Sequence, residues 1–266
     1  MVRFLSLASG SSGNCFYLGT EEYGILIDAG IPVRTIRKTL KDSGIGLERV
    51  MALFVTHDHA DHIRSVGVLG EKCYIPVFAT KRIHEGMSRS YCMTEKLSSS
   101  VRYMEKGQEV CVRDITLESF DVPHDATETV GYQIRLEGKT FCFITDVGSI
   151  TPEVEQRIAS SDYLVVECNY DSDMLQHSRY PLFLRERIAS GFGHISNEQM
   201  AKALQRNVSV RHKAVFLCHL SKENNHPDLV EKVVREALDQ STVNLDESLI
   251  VKALNRYSKT GPFDFE

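Results

Sequence analysis

The chain has 266 residues, of which 42% are hydrophobic and 25% are charged, and its formal net charge is −5. This length and apolar content suffice for a sizeable core without disulfides, so we expect one domain over residues 1–266, or at most two closely packed halves. The acidic balance argues against a protein that coats nucleic acid non-specifically, because that mode needs an extended basic surface. Basic clusters at 34–38, 184–187 and 211–213 allow only local patches.

The cysteines and the N-terminal stretch bear on the compartment. Seven cysteines are scattered without a CxxC pair, and their odd number fits reduced thiols better than a disulfide framework, which favours the cytoplasm. The apolar start of the chain is interrupted by the polar segment SGSSGN at 9–14, unlike a signal peptide. No later segment approaches the length of a membrane span, and neither secretion nor membrane insertion is expected.

Strand-like and helix-like patterns alternate along the chain, which predicts an α/β protein. Strands are predicted at 3–9, 15–20, 23–30, 50–57, 75–80, 115–122, 129–138, 139–148, 162–169, 214–221 and 248–254. Helices are predicted at 33–44, 152–161, 196–207 and 227–240. Thr151 before Pro152, and Ser196 with Gln199 as a capping box, mark two helix starts. The EGK turn at 137–139 predicts a hairpin.

The segment FVTHDHADH at 54–62 places three histidines and two aspartates directly after an apolar strand. His57 and His59 alternate along an extended segment, so their rings can converge, while Asp61 and His62 lie one tight turn further on. This geometry suits two adjacent metal ions, and imidazole with carboxylate favours Zn²⁺, Mn²⁺ or Fe²⁺. The alternative, a polar loop that opens a helix, gives no reason for so many titratable groups.

Three further candidate ligands each follow an apolar strand: His124 in SFDVPHD, Asp146 in FCFITDVG and His219 in AVFLCHLS. One such residue alone is more often a hydrogen-bonding partner than a ligand. Three of them in the same context, together with the first cluster, favour a metal site.

The HxHxDH pattern resembles the signature of the metallo-β-lactamase superfamily, and the later motifs follow in that superfamily's order. The resemblance implies an αββα sandwich, in which two mixed sheets lie between outer helices. It also implies two divalent transition-metal ions. The first would be held by His57, His59 and His124, the second by Asp61, His62 and His219, with Asp146 bridging the two.

Asp28, in GILIDAG, matches the superfamily's early strand-end aspartate, which supports the ligand loop without binding metal. A helix cap after the strand is the alternative reading of Asp28.

A more specific resemblance covers nearly the whole chain. The phrases ASGSSGNC, VECNYD, YPLFLRERIASGFGHISN and HLSKENN resemble the YycJ/WalJ branch of metallo-β-lactamase-fold hydrolases, a bacterial group regarded as nuclease-like. Only 73 positions separate Asp146 from His219, too few for the large clamping insertion of RNA-processing relatives. Any nucleic acid must therefore be held by the fold surface or by a partner.

Several polar residues outside the ligand set are candidates for the reaction. Asp61 would orient the attacking hydroxide, and His194, just before a helix start, could donate a proton to the leaving oxygen or hold a phosphoryl oxygen. A histidine that merely caps its own loop is the alternative for His194. Ser12 and Asn14 in SGSSGN could contact phosphate, although the segment could equally be a glycine-dependent hairpin. Asn169 would lie at the rim of the site.

These motifs together favour a dinuclear metal-dependent hydrolase, a phosphodiesterase or exonuclease that acts on DNA or RNA ends through a metal-bridging hydroxide. The alternative is a small-molecule hydrolase of a thioester, lactone or cyclic phosphate, which the acidic net charge would suit. A binding module without catalysis is disfavoured because every expected ligand is present. A diiron oxidoreductase is disfavoured because His59 stands where that pattern has a glutamate. A homodimer is left open.

Overall fold

The computed structural model describes Met1–Glu266 and divides into two compact units. The first unit comprises Met1–Ser119, Ala126–Thr129 and Asn255–Glu266. The second comprises Phe120–Asp125 and Val130–Leu254. The assignment of residues 1–266 to one domain stays a prediction, and each unit is described by itself.

The chain contains fourteen strands and nine α-helices. The strands are β1 (Val2–Ala8), β2 (Cys15–Gly19), β3 (Gly24–Ile27), β4 (Val50–Phe54), β5 (Val77–Ala79), β6 (Val101–Tyr103), β7 (Glu109–Val112), β8 (Ile115–Asp121), β9 (Val130–Leu136), β10 (Lys139–Ile144), β11 (Tyr163–Glu167), β12 (Ala214–Cys218), β13 (Ile250–Ala253) and β14 (Thr260–Phe265). The helices are α1 (Val33–Lys41), α2 (Ala60–Ile63), α3 (Val66–Cys73), α4 (Lys81–Arg89), α5 (Pro152–Ala159), α6 (Ser172–Gln176), α7 (Leu182–Ile188), α8 (Asn197–Asn207) and α9 (Pro227–Asp239).

The first sheet has the order β14-β1-β2-β3-β4-β5-β6 and mixes both strand directions. The pairs β14–β1, β1–β2 and β2–β3 are antiparallel, whereas β3, β4, β5 and β6 run parallel. Every residue of β2 and β3 is buried, as expected for strands covered on both faces. Ile27 of β3 pairs with Phe54 of β4, so the segments that follow these two strands begin side by side.

The second sheet has the order β13-β12-β11-β10-β9-β8-β7. Strands β10 to β13 are mutually parallel, and β9 pairs antiparallel with β10 through the predicted hairpin. Its turn residues Glu137 and Gly138 both have positive φ, 48° and 72°, the combination that a two-residue hairpin turn of type I′ requires. Because β10, β11 and β12 run parallel, the residues that follow them lie at one edge of this sheet.

Two of the predicted helix starts are present with their caps. The Thr151 side chain accepts a hydrogen bond from Val154 N ahead of Pro152, and Ser196 and Gln199 form both bonds of a capping box. Such caps stabilise a helix by about 1 kcal/mol. None of the nine helices has both the length and the apolar character needed to cross a bilayer.

All seven cysteines are unbridged. Cys15, Cys142, Cys168 and Cys218 are fully buried, and burial raises the pKa of the Cys142 thiol to about 12. These four thiols are therefore protonated, unreactive parts of the two cores.

Helices α3 and α4 are absent from the sequence prediction although they are as long as the predicted α5 and α1, and other absent elements are short or depend on distant pairing. Strand β6 has three residues, two of them exposed, and α2 has four residues, so neither shows a clear period. Strand β14 pairs with β1 from the other end of the chain, and Arg3 Nε and Nη2 donate to the Asp264 carboxylate at 2.6 and 2.9 Å. Local periodicity cannot reveal such an edge.

A single carboxylate ties α3 to the segment before β6. Glu71 accepts hydrogen bonds from the backbone N–H groups and the hydroxyls of Ser98, Ser99 and Ser100, at 2.6–3.3 Å. These bonds, led by the Ser100 hydroxyl, hold the pKa of Glu71 well below its usual value. The folded state therefore binds the ionised form more strongly than the unfolded state does.

We predict that Glu71→Gln lowers the free energy of unfolding by about 1 kcal/mol at pH 7, the scale of hydrogen bonds to a partly exposed charge. Since the pKa is depressed in the folded state, this contribution is complete above the unfolded-state pKa of about 4.3 and is lost as the pH falls. Urea unfolding at pH 7 and pH 4, with Glu85→Gln on α4 as control, measures the difference. A difference between Glu71→Gln and wild type that does not shrink at pH 4 would contradict this account.

Candidate active site

The HxHxDH segment of the first unit runs from the end of β4 into α2. The His57 and His59 ring centroids lie 4.7 Å apart, and those of His57 and His62 lie 4.1 Å apart. His57 and His62 are fully buried, whereas His59 and Asp61 are partly exposed. Three imidazoles are thus clustered within one short loop.

The buried carboxylate of Asp28 organises this loop from the end of β3. It accepts from Thr56 N and from the Thr56 hydroxyl, both at 2.8 Å, and from His62 Nδ1 at 2.7 Å. Asp28 has a positive φ of 59°. Because His62 Nδ1 is engaged as a donor, its Nε2 carries the lone pair that can bind a metal ion. The side chain of Asp28 contacts Thr56 and His62 and does not cap a helix, and its support of a metal-binding loop stays a prediction.

Thr56 contacts two candidate site residues, Asp28 and His57, and was not predicted from the sequence. Its hydroxyl donates to Asp28 Oδ2 and lies 3.0 Å from His57 Nδ1. With its hydrogen committed to the carboxylate, the hydroxyl can only accept from His57, which places the imidazole proton on Nδ1 and the lone pair on Nε2. The sequence feature that could have revealed Thr56 is a residue with a hydroxyl group immediately before the first histidine of the motif.

The SGSSGN loop packs beneath the same segment. Asn14 is fully buried; its Oδ1 accepts from Gly10 N at 2.9 Å, and its Nδ2 lies 2.9 Å from His62 Nε2 and 3.3 Å from Asp61 Oδ2. Asn14 N donates to Asp61 O at 2.7 Å. Gly30 is required nearby, because a Cβ atom there would lie 1.5 Å from Asp61 O. Ser12, by contrast, is exposed.

In the second unit, three side chains converge at the edge where β10, β11 and β12 end. They are Asp146, Glu167 and His219, and all three are buried. His219 Nδ1 lies 2.8 Å from Glu167 Oε1 and 3.1 Å from Asp146 Oδ1. The parallel register of the three strands brings these residues together although they are far apart in sequence.

Glu167 is a second residue that contacts candidate site histidines and was not predicted from the sequence. Its carboxylate accepts from Val147 N at 2.8 Å and from the Nδ1 atoms of His194 and His219 at 2.7 and 2.8 Å. Burial alone raises the pKa of Glu167, but the charge of His194 and the bonds from both histidines outweigh it and lower the pKa. The sequence feature that could have revealed Glu167 is an acidic residue at the end of an otherwise apolar strand, because a carboxylate that is buried must be paired.

His124 and His194 complete this group. His124 Nδ1 donates to Gly193 O at 2.7 Å, and the His194 ring centroid lies 5.0 Å from that of His124 and 5.1 Å from that of His219. Burial lowers the pKa of His194, but the Glu167 carboxylate outweighs it, so the pKa is raised. His194 therefore holds a proton more firmly than a free imidazole does. The adjacent Asn169 is buried and donates from Nδ2 to His219 O at 2.8 Å.

The donor chemistry of both groups fits borderline divalent ions. In the second unit, Asp146, Glu167, His194 and His219 each offer one ligand atom, all within 4.8 Å of one another. Glu167 is already engaged by two imidazoles, so it suits orienting ligands better than binding metal. His57, His62, His124 and His219 all have Nδ1 within hydrogen-bond distance of an oxygen atom, which makes Nε2 the atom that would coordinate a metal ion; in His62 this atom lies 2.9 Å from Asn14 Nδ2. Such support is typical of metal-binding histidines.

The chain belongs to the metallo-β-lactamase superfamily: the family model described as "Beta-lactamase superfamily domain" matches residues 23–219. It is 35% identical to "Exodeoxyribonuclease WalJ" of Streptococcus pneumoniae over 91% of this chain and 90% of the relative. It is 32% identical to "Exodeoxyribonuclease YycJ" of Bacillus anthracis, covering 93% of each. Within the superfamily it therefore falls in the YycJ/WalJ branch, and the predicted resemblance is confirmed.

Solved structures agree on the fold. The metallo-β-lactamase fold protein YhfI of Bacillus subtilis and Zn²⁺-bound PqqB of Methylobacterium extorquens each give a TM-score of 0.71 at 15% identity. The alignment with YhfI covers 97% of this chain and 98% of YhfI. The alignment with PqqB covers 98% of this chain and 100% of PqqB. The predicted α/β class, an αββα sandwich with two mixed sheets and flanking helices, is confirmed.

We predict that Thr56→Val preserves the fold but weakens metal binding about 10- to 100-fold, because His57 loses the acceptor that fixes its tautomer. Competition with a chromogenic zinc chelator gives the affinity. Thr129→Val is the matched control, since Thr129 is also buried in the first unit but its hydroxyl has no hydrogen-bond partner. Equal zinc affinity in both variants would show that the Thr56 hydroxyl does not orient a ligand.

Proposed function

We propose that the protein is a metal-dependent phosphodiesterase, specifically an exonuclease that removes nucleotides from DNA ends. The observation that carries this proposal is the match, over about nine-tenths of both lengths, to two relatives named exodeoxyribonuclease. The buried histidine and aspartate clusters support the metal dependence. The relatives' names favour DNA over RNA, which the sequence left open, and favour a nuclease over a small-molecule hydrolase.

We further propose that the two ligand groups serve one dinuclear centre with the assignment implied by the family pattern. The first ion would be held by His57, His59 and His124, the second by Asp61, His62 and His219, with Asp146 shared between them. Zn²⁺ and Mn²⁺ suit these imidazole and carboxylate donors, and Fe²⁺ is compatible with them. Two such ions supply a water of lowered pKa and neutralise charge on the attacked phosphate.

The chain's own groups would manage protons and orientation. Asp61 accepts a hydrogen bond from Asn14 Nδ2 at 3.3 Å, which would fix the direction of its carboxylate as it orients the attacking hydroxide. His194, protonated through its bond to Glu167, would donate a proton to the leaving oxygen. Glu167 thus holds the proton donor and His219 in one arrangement.

The predicted substrate contacts take different positions. Ser12 is exposed and would meet a phosphate through its hydroxyl. Asn14 and Asn169 are buried, and we propose that they act by holding the ligand loop and the backbone of His219, respectively. A cytoplasmic location is supported by the unbridged thiols and by a DNA substrate. A homodimer stays a prediction.

The direct test is incubation of the metal-reconstituted protein with end-labelled single- and double-stranded DNA and RNA, with the products resolved by length. We expect stepwise shortening of DNA that stops when a chelator is added and resumes when metal is restored. A thioester and a lactone are included as competing substrates. Turnover of either, with DNA left intact, would replace this proposal with the small-molecule hydrolase.

We predict that His194→Ala reduces DNA turnover by about 10²- to 10⁴-fold, the span expected for a lost general acid. Metal content should stay near that of the wild type, because His194 completes neither proposed shell. A substrate with a better leaving group should recover much of the loss. His226→Ala, at the exposed start of α9, is the control. Loss of metal in His194→Ala would instead make this histidine a ligand, and unchanged turnover would make it structural.

A further inference from the structure

Helix α7 exposes large apolar side chains on the side opposite to its buried face. Leu184 and Ile188, four residues apart, pack with Tyr170 and Leu175 in a small apolar cluster. Phe183 is nevertheless 72% exposed and Leu182 62% exposed. Leu184 and Ile188 therefore supply the apolar contacts that pack α7 against the second unit, and Phe183 is not needed for this packing. Single exposed apolar residues are common on protein surfaces, but adjacent exposed ones such as Leu182 and Phe183 can mark a binding surface.

Phe192 is a second exposed aromatic residue, and it lies between α7 and His194 in the chain. It is 65% exposed and lies in the loop that leaves α7. Gly193 N donates to Ser190 O at 3.0 Å, and His194 N donates to Ile188 O at 2.8 Å, so the loop folds back on the helix end. A Cβ atom on Gly193 would lie 2.1 Å from Arg187 O, which shows how closely the two segments approach. Phe192 is thus held two residues from the proposed proton donor.

Arginines accompany these aromatics. Arg179 and Arg187 are exposed, and Arg185 is partly buried and donates to the neutral carbonyl of Gln176, so it keeps its charge. Arg187 Nε is neutralised by Asp125 Oδ2 at 2.6 Å. Glu186 is also exposed on α7, so two carboxylates offset the three arginines and the patch keeps a single net positive charge in a chain of net charge −5. This charge attracts phosphate, and within the second unit Phe183 and Phe192 are the two large aromatic side chains that are exposed.

We propose that the Leu182–Phe192 face binds single-stranded DNA, with Phe183 and Phe192 as stacking platforms for bases and Arg179 and Arg185 near the phosphates. The proposal rests on the exonuclease function above and names the form of its substrate. Aromatic stacking with backbone-directed arginines is how proteins hold single strands without reading sequence. Paired bases inside a duplex are already stacked on their neighbours and cannot occupy such platforms. The strand would lead from this face to His194.

The first experiment measures binding of a hydrolysis-resistant phosphorothioate single strand of about twelve nucleotides to the holoprotein, with the matching blunt duplex in parallel. The double variant Phe183→Ala/Phe192→Ala should bind the single strand about 10-fold or more weakly, since each stacking contact contributes at least several-fold. The duplex should be affected far less. Metal content and circular dichroism verify the fold. Val210→Ala, an exposed apolar residue elsewhere in the second unit, and Arg211→Ala, in another basic cluster, are the controls.

A second experiment uses the absence of tryptophan from the chain. Phe183→Trp or Phe192→Trp introduces the only tryptophan, whose emission should be quenched by the single strand when a base stacks on it. Val210→Trp should show no change. This measurement reports contact directly and does not depend on a loss of affinity.

The outcomes distinguish a failure of the proposed exonuclease function from a failure of the proposed single-strand binding face. If the wild-type protein neither binds nor shortens DNA, the exonuclease function fails and this inference falls with it. If the wild type shortens DNA but the double variant binds the single strand as tightly, this inference alone is overturned. Equal weakening toward single strand and duplex would also overturn it. Sedimentation provides a further outcome. If the wild type sediments as a dimer and the double variant as a monomer, while both bind the single strand with equal affinity, this face binds a second copy of the chain and not DNA.

Discussion

Two buried carboxylates at strand ends determine the geometry of the candidate site. Asp28 and Glu167 are both fully buried, and each accepts hydrogen bonds from histidine Nδ1 atoms. A buried carboxylate is costly unless it is paired and hydrogen-bonded, so the surrounding backbone must present donors to it. The Thr56 N–H donates a hydrogen bond to Asp28, and the Val147 N–H donates one to Glu167. The same bonds that satisfy the carboxylates orient the imidazoles.

This arrangement explains why the loops and not the sheets carry the chemistry. The strands are apolar and buried, and each unit places its polar groups just beyond the carboxyl ends of parallel strands. Such an edge leaves backbone N–H groups free to bind side chains, as Asp28 and Glu167 both show. The rigid sheet thereby sets the position of the ligands, while the loop sequence sets their identity.

The surface near the site has a different character from the interior. The candidate ligands His57, His62, His124 and His219 are buried and oriented by hydrogen bonds, whereas α7 and the loop after it present Phe183 and Phe192 to solvent. A site that accepts a polymer end needs both features: a fixed reaction centre and an adjoining surface that tolerates many sequences. Stacking on aromatic rings satisfies the second need because every base has a π-face.

The sequence by itself determined the α/β class, most long strands, the caps at Thr151 and Ser196, and the histidine and aspartate donors. These features depend on local periodicity or on side-chain chemistry within a few residues, and both are visible in a linear chain. Only the tertiary structure decided the contacts of Thr56 and Glu167, the placement of Asn14, the pairing of β14 with β1, and the exposure of Phe183. His62 and Asp28 are 34 residues apart and His219 and Glu167 are 52 apart, so strand register alone brings them into contact.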